Sequence, residues 1–221
     1  MSGSFDYMTE QEARKAICEI GKRLYSKNFV AANDGNLSIR TGEDEIICTP
    51  TGVSKGFMSE NMMVKIRMNG DVIEGSLKPS SEIKMHLRIY KENKQIGGVV
   101  HAHPPIATAF AVAGMELQPN LLPEAAIMLG TVKVAQYATP GTEEVPEVIA
   151  PYVKSNKAVL MANHGALTWD SDIFEAYYRM ESLEHYAKIS MYAKHVIGHI
   201  NPLTDLEISK LIKNAEDRRK L

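Results

Sequence analysis

Gly97-Gly98-Val99-Val100-His101-Ala102-His103-Pro104-Pro105 is the stretch on which the fold turns. Two glycines lead into an apolar run, the run ends on a His-X-His pair, and two prolines close it. A short apolar run bounded by Gly and Pro reads as a buried strand. Proline in a first turn then starts a helix that reaches about Val112. On a strand, residues two apart project to the same face, about 7 Å apart at their Cα atoms. His101 and His103 can therefore converge on one ion at the strand's end. Alone the pair is a weak signal, and two polar histidines at a strand terminus is the plain alternative.

Moving toward the C-terminus, Ala158 to Ala162 is a second apolar strand, ending at Asn163-His164-Gly165. A histidine at that strand's end completes a set of three imidazoles, and three protein nitrogens with an open position is the pattern of catalytic zinc. Gly165 permits close backbone approach; by itself the Asn-His-Gly triplet is also a loop cap. Moving toward the N-terminus, Lys78-Pro79 is followed by Ser80-Ser81-Glu82, and the spacing predicts a helix from Ser80 or Ser81 through about Glu92. Hydroxyls and free N–H groups at a helix start suit a phosphate. Glu82 is an ordinary first-turn carboxylate on its own; beside a metal it can ligate the ion or move a proton. Two glycine turns, Asp34-Gly35-Asn36 and Thr49-Pro50-Thr51-Gly52, read either as plain turns or as backbone cradles for phosphate oxygens. Neither matches the Walker or dinucleotide pattern. His86, His185, His195 and His199 are assigned structural roles, with His86 four residues after Glu82 on the same helix face.

The remaining elements are a helix over 8–27 capped by Thr9, strands at Leu37–Arg40 and Glu45–Thr49, and a strand over 63–68 that turns at Asn69-Gly70. Further strands and helices are expected at Val132–Tyr137, after Thr142, over 171–195, and from Thr204 to about Asp217. Hairpins interspersed with helices, and no linker or repeat, predict one α/β domain over 1–221 whose sheet is largely antiparallel.

Composition narrows the function classes. The 221 residues carry a net charge of −2 and 44% hydrophobic residues, enough for a sizeable core and no pull toward nucleic acid or an anionic membrane. Cys18 and Cys48 are expected as free thiols, since two cysteines make no disulfide framework. No apolar run approaches the roughly 20 residues of a membrane helix. Met1 to Tyr7 lacks the pattern of a secretory leader, so the expected compartment is the cytoplasm.

Gly35-Asn36-Leu37-Ser38, Thr49-Pro50-Thr51-Gly52, Pro79-Ser80-Ser81-Glu82, His101-Ala102-His103 and Asn163-His164-Gly165 together resemble the class II aldolase/adducin family, in order and spacing, over roughly residues 8–200. Within it the pattern is most like the fuculose-1-phosphate aldolase branch. The resemblance implies a three-layer α/β/α fold with a central, mostly antiparallel sheet, and a homotetramer with active sites at subunit interfaces. It implies zinc (with manganese or cobalt as substitutes) on His101, His103 and His164, with Glu82 as resting ligand and acid/base. It implies a phosphate site at Gly35, Asn36, Thr51, Gly52, Ser80 and Ser81. The implied reaction cleaves a ketose 1-phosphate into dihydroxyacetone phosphate and an aldehyde. The alternatives are a pentulose-5-phosphate 4-epimerase, a methylthioribulose-phosphate-type dehydratase, or a non-catalytic adducin-like scaffold. Such aldolases use a tyrosine of the neighbouring subunit after the His-X-His helix. Here that region reads Pro119-Asn120-Leu121-Leu122-Pro123-Glu124, which makes Glu124 a candidate second acid.

Overall fold

The computed structural model describes residues 6–218. The leader-free reading of the chain's start falls mostly on residues 1–5, outside the described residues. Eight strands form one sheet: β1 (Asn36–Arg40), β2 (Glu45–Cys48), β3 (Val64–Arg67), β4 (Val72–Glu74), β5 (Gly98–Ala102), β6 (Lys133–Ala135), β7 (Ala158–Met161) and β8 (Gly165–Asp170). Their order is β4-β3-β2-β1-β5-β8-β7-β6. Every neighbouring pair is antiparallel except β6 and β7, which run parallel.

Helices cover both faces. On one lie α1 (Glu10–Ser26), α3 (Pro105–Val112) and α6 (Ile173–Met191), packed through Ile17, Leu24, Phe110, Tyr177 and Met180 against Leu37, Val100 and Ala166. On the other lie α2 (Ile83–Glu92) and α5 (Glu144–Ile149), packed through Met85, Ile89 and Ile149 against Ile46, Val99 and Trp169. The three-layer expectation holds. The short α4 (Pro123–Met128) and the C-terminal α7 (Asp205–Arg218) pack on each other. α1 begins where its sequence says: Glu12 N–H donates to Thr9 Oγ1 at 3.3 Å and Thr9 N–H to Glu12 Oε2 at 2.9 Å, a reciprocal cap. Cys18 and Cys48 are buried free thiols. Among the described residues no helix is long and apolar enough to cross a membrane.

Three differences from the sequence expectations have physical causes. Sequence patterning assigns no element to residues 165–170, yet β8 lies there, between β5 and β7. It is buried on both faces, so Gly-Ala-Leu-Thr-Trp-Asp shows no polar–apolar alternation. α2 begins at Ile83 rather than at Ser80 or Ser81. Ser80 N–H is instead held by Thr49 O at 3.1 Å, which keeps the two serines in an extended turn. α4 falls in the Pro119–Glu124 region and beyond, where six residues are too few for helical periodicity to stand out.

β8 and α6 are tied by one buried ion pair. Asp170 Oδ2 accepts from Arg179 Nε at 2.5 Å, and Oδ1 accepts from Ser171 N–H at 2.7 Å and lies 3.4 Å from Lys157 Nζ. Arg179 also donates to the carbonyl of Met128, which brings α4 into the same knot. Burial raises the Asp170 carboxyl pKa, but the Ser171 amide, Arg179 and Lys157 lower it by more, and it ends below its usual value. A depressed folded pKa contributes stability above the unfolded value of about 4 and loses it as pH falls through the folded value. Asp170→Asn should therefore lower the unfolding free energy by about 3–5 kcal/mol at pH 7. In urea denaturation the gap between variant and wild type should narrow as the pH drops below about 4; a gap that is independent of pH would refute the assignment.

Candidate functional site

The register of the central strands assembles the site. Asn36 of β1 stands opposite His101 of β5, and on the other side His101 faces Leu167 and Ala102 faces Ala166 of β8. His101 is fully buried, and its Nδ1 lies 2.9 Å from Ala166 O. A carbonyl only accepts, so the ring proton sits on Nδ1 and Nε2 presents a bare lone pair. His103, one residue past β5, brings its Nε2 to 3.1 Å from that lone pair, while its Nδ1 lies 3.3 Å from Asp34 Oδ2. His164 arrives on the three-residue loop joining β7 to β8, where Asn163 takes a left-handed φ of 57°. Gly165 lets the strands close: a Cβ there would lie 2.4 Å from His103 Cδ2 and 2.8 Å from Ala102 O. The candidate ligand nitrogens of the three imidazoles lie within 4.8 Å of one another.

Glu82 completes the group from the turn before α2. Its Oε1 is 3.1 Å from His164 Nε2 and its Oε2 is 3.4 Å from His101 Nε2. Although buried, Oε1 makes no aligned hydrogen bond among the described residues, the His164 approach included. Burial raises the Glu82 pKa, but His164, His101 and Asn36 outweigh it and hold the carboxyl ionised. Burial drives His101 and His103 the other way, toward the neutral form, and mutual repulsion among the rings adds to this. Two imidazoles pushed toward the neutral form, a third beside them, an ionised carboxylate and an orphaned buried oxygen together meet what a divalent cation requires of its donors. The carboxylate near His103 Nδ1 and the carbonyl on His101 Nδ1 are the outer partners that fix such ligands.

Behind Glu82 runs a chain of buried donors. Tyr90 Oη lies 2.8 Å from Ser38 Oγ, and Ser38 Oγ lies 2.7 Å from His86 Nδ1. His86 Nε2 is 2.5 Å from Asn36 Oδ1, and Asn36 Nδ2 donates to Glu82 Oε2 at 2.9 Å. An amide oxygen can only accept, so His86 carries its proton on Nε2 and accepts from Ser38. Burial pushes the His86 pKa down to about 3, keeping the ring neutral. His86 is therefore structural, as the sequence suggests, and it orients the Asn36 amide that faces Glu82.

The six residues read as a phosphate site, Gly35, Asn36, Thr51, Gly52, Ser80 and Ser81, all line one cavity of about 170 Å³ that also includes Glu82 and His103. Gly35 takes a φ of 73°, and a Cβ there would lie 2.8 Å from His101 O. Sequence reasoning missed two residues of this cavity, Asp34 as a partner of His103, and Lys55. The available signal for Lys55 was a lone cation between glycines beside a glycine turn. Glu124 is exposed in the first turn of α4 and is not part of this cavity. His185, His195 and His199 also lie outside the cluster. A larger cleft of about 780 Å³, between Tyr7, Arg40 and Asp172, contains none of these groups.

Replacing His86 with Leu strands the Asn36 amide oxygen in the interior, while the Ser38 hydroxyl keeps Tyr90 as a partner. The unfolding free energy should fall by about 1–3 kcal/mol, read from the urea midpoint. An unchanged midpoint would mean that His86 does not hold Asn36.

Comparison with known proteins places this arrangement. The model of the class II aldolase and adducin N-terminal domain matches residues 15–191. A 3-oxo-tetronate 4-phosphate decarboxylase of Haemophilus influenzae is 31% identical, over 96% of this chain and 100% of its own. A 5-deoxy-D-ribulose 1-phosphate aldolase of Bacillus thuringiensis is 32% identical, over 95% of this chain and 98% of its own. Among solved structures, an L-fuculose 1-phosphate aldolase superposes with a TM-score of 0.87 at 31% identity, covering 97% of this chain and all of that one. The protein belongs to the class II aldolase and adducin N-terminal domain family, whose aldolases are metal-dependent lyases.

Proposed function

We propose that the protein is a zinc-dependent aldolase that cleaves a ketose 1-phosphate into dihydroxyacetone phosphate and an aldehyde. The observation that carries this is the contact between two sites: Glu82 and His103 belong both to the three-imidazole cluster and to the wall of the hydroxyl-rich cavity. A phosphate in that cavity would present the adjacent hydroxyl and carbonyl of the sugar to the cluster.

His101, His103 and His164 would hold the ion, with Glu82 beside them. When bound, the ion supplies Lewis-acid polarisation of the ketone and offsets the charge left by C–C cleavage. The cavity's donors would hold the phosphate: the Gly52 amide and the Ser81 hydroxyl make no hydrogen bond within the described residues, so both are free to donate. In the cleavage direction the hydroxyl of the leaving carbon gives up its proton, that carbon departs as the aldehyde, and the bond's electron pair stays with the three-carbon phosphate. Glu82 would return a proton to that carbon, and in the reverse direction abstract it. Glu124, if brought in by a neighbouring subunit, would serve the aldehyde oxygen. A homotetramer fits the exposed apolar side chains of the C-terminal segment, where Val196 is 71% and Ile197 74% exposed.

Decarboxylation of a 3-oxo acid phosphate is the second reading. No tyrosine stands in 119–124, and loss of carbon dioxide leaves no alkoxide to protonate, so it needs no acid on that side. The bond's electron pair would again stay on the three-carbon phosphate and again be protonated by Glu82.

Purified protein incubated with dihydroxyacetone phosphate and a panel of aldehydes should form a new C–C bond, with about one zinc per chain by elemental analysis. Chelation should abolish turnover and zinc should restore it. Glu82→Gln should cut kcat about 10²–10⁴-fold. Condensation with no aldehyde, together with carbon dioxide release from a 3-oxo-tetronate phosphate, would replace the aldolase by the decarboxylase.

A further inference from the structure

Lys55 sits in the turn after Gly52 and is 1% exposed, an unusual position for a lysine. Its Nζ donates to Asn33 O at 2.8 Å and to Val53 O at 2.6 Å, carbonyls of the residues that flank the two glycine turns. An ammonium has three N–H bonds, and the third has no partner among the described residues. Nor does Lys55 form an ion pair there, although the carboxylates of Asp34 and Glu82 line the same cavity. A buried, unpaired cation is costly. The cost is visible in the Lys55 pKa, which burial pushes down to about 8.

The other groups of the cavity explain what such a charge is for. The hydroxyls and amides of Thr51, Gly52, Ser80 and Ser81 are neutral donors, and Lys55 is the one Lys or Arg among the lining residues described. Neutral donors orient an anion, but two carboxylates beside them repel it. A phosphate monoester carries close to two negative charges at neutral pH, and among the described lining residues Lys55 is the side-chain cation that offsets the carboxylates of Asp34 and Glu82.

We propose that Lys55 is the charge-selecting residue of this site: its ammonium, seated beneath both glycine turns, is the cation that admits a phosphorylated sugar in preference to its unphosphorylated counterpart. This rests on the sugar-phosphate reading above. A phosphate bound between the turns would take the third N–H and neutralise the buried charge, so one side chain both staples the two loops and reads the ligand.

Two variants separate the staple from the charge. Lys55→Gln keeps an amide with two N–H donors for the carbonyls but removes the charge, and Lys55→Met removes both. The measurement is the ratio of kcat/KM for a ketose 1-phosphate to that for the same ketose without phosphate, alongside calorimetric binding of inorganic phosphate and metal stoichiometry. Both variants should lower the ratio about 10- to 100-fold and weaken phosphate binding by a similar factor. A purely structural lysine would slow both ketoses in parallel and leave the ratio unchanged, and that result would overturn the proposal. Wild-type protein that binds no phosphate and does not distinguish the two ketoses would overturn the sugar-phosphate reading itself, and the proposal with it. Wild-type preference retained in full by Lys55→Gln would overturn the role of Lys55 alone.

Discussion

Everything at the site hangs on the pairing of β5 with a neighbour on each side. His101 has no exposure to solvent, so its ring cannot choose its own partners; they are dictated by which residues the adjacent strands place beside it. β8 supplies the Ala166 carbonyl that fixes its tautomer, and β1 supplies Asn36, whose amide reaches Glu82. A slip of one residue in either pairing would turn the opposing side chains to the other face of the sheet. The imidazole set and the carboxylate would then no longer share a side. The rest of the molecule, with helices on both faces and the Asp170–Arg179 knot beneath α6, holds those three strands in step.

The site is also graded in charge. At its back, His86, Ser38 and Tyr90 form a neutral, fully buried hydrogen-bonded chain. In the middle stand three imidazole rings around an ionised carboxylate, and at the mouth lies a cradle of hydroxyls and amides. Low dielectric strengthens each of these contacts and makes each unpaired member costly. Two buried unpaired members, Glu82 Oε1 and the third N–H of Lys55, both belong to the one cavity.

The sequence carried most of this in its punctuation. Glycine and proline mark where β5 ends, the Thr9–Glu12 pair marks where α1 begins, and Asn69-Gly70 marks the β3–β4 turn. The three histidines were legible because each ends or follows an apolar run, and the phosphate-site residues because serine and glycine cluster beside them. β8 was not legible: a strand buried on both faces has no period to read. Lys55 was not legible either, because a lysine in a glycine-bounded loop carries the same local pattern as a solvated one. Only the fold shows that two carbonyls have drawn it inward. The same holds for Asp34, whose role depends on His103, far off in the chain.

The β7–β8 loop that presents His164 is a tight local turn, set by the left-handed Asn163 and a glycine. It can take shape as soon as its own hairpin does. Its partners cannot: His101 and Ala166 are 65 residues apart in sequence, and between β5 and β8 the chain builds α3, α4, α5 and two further strands. Closing contacts over such separations is the slow part of folding. A nascent chain therefore has no complete set of imidazoles until β8 has slotted in beside β5. Uptake of the ion would serve as a clock for the last long-range closure of the sheet, marking the moment when the polypeptide acquires its topology.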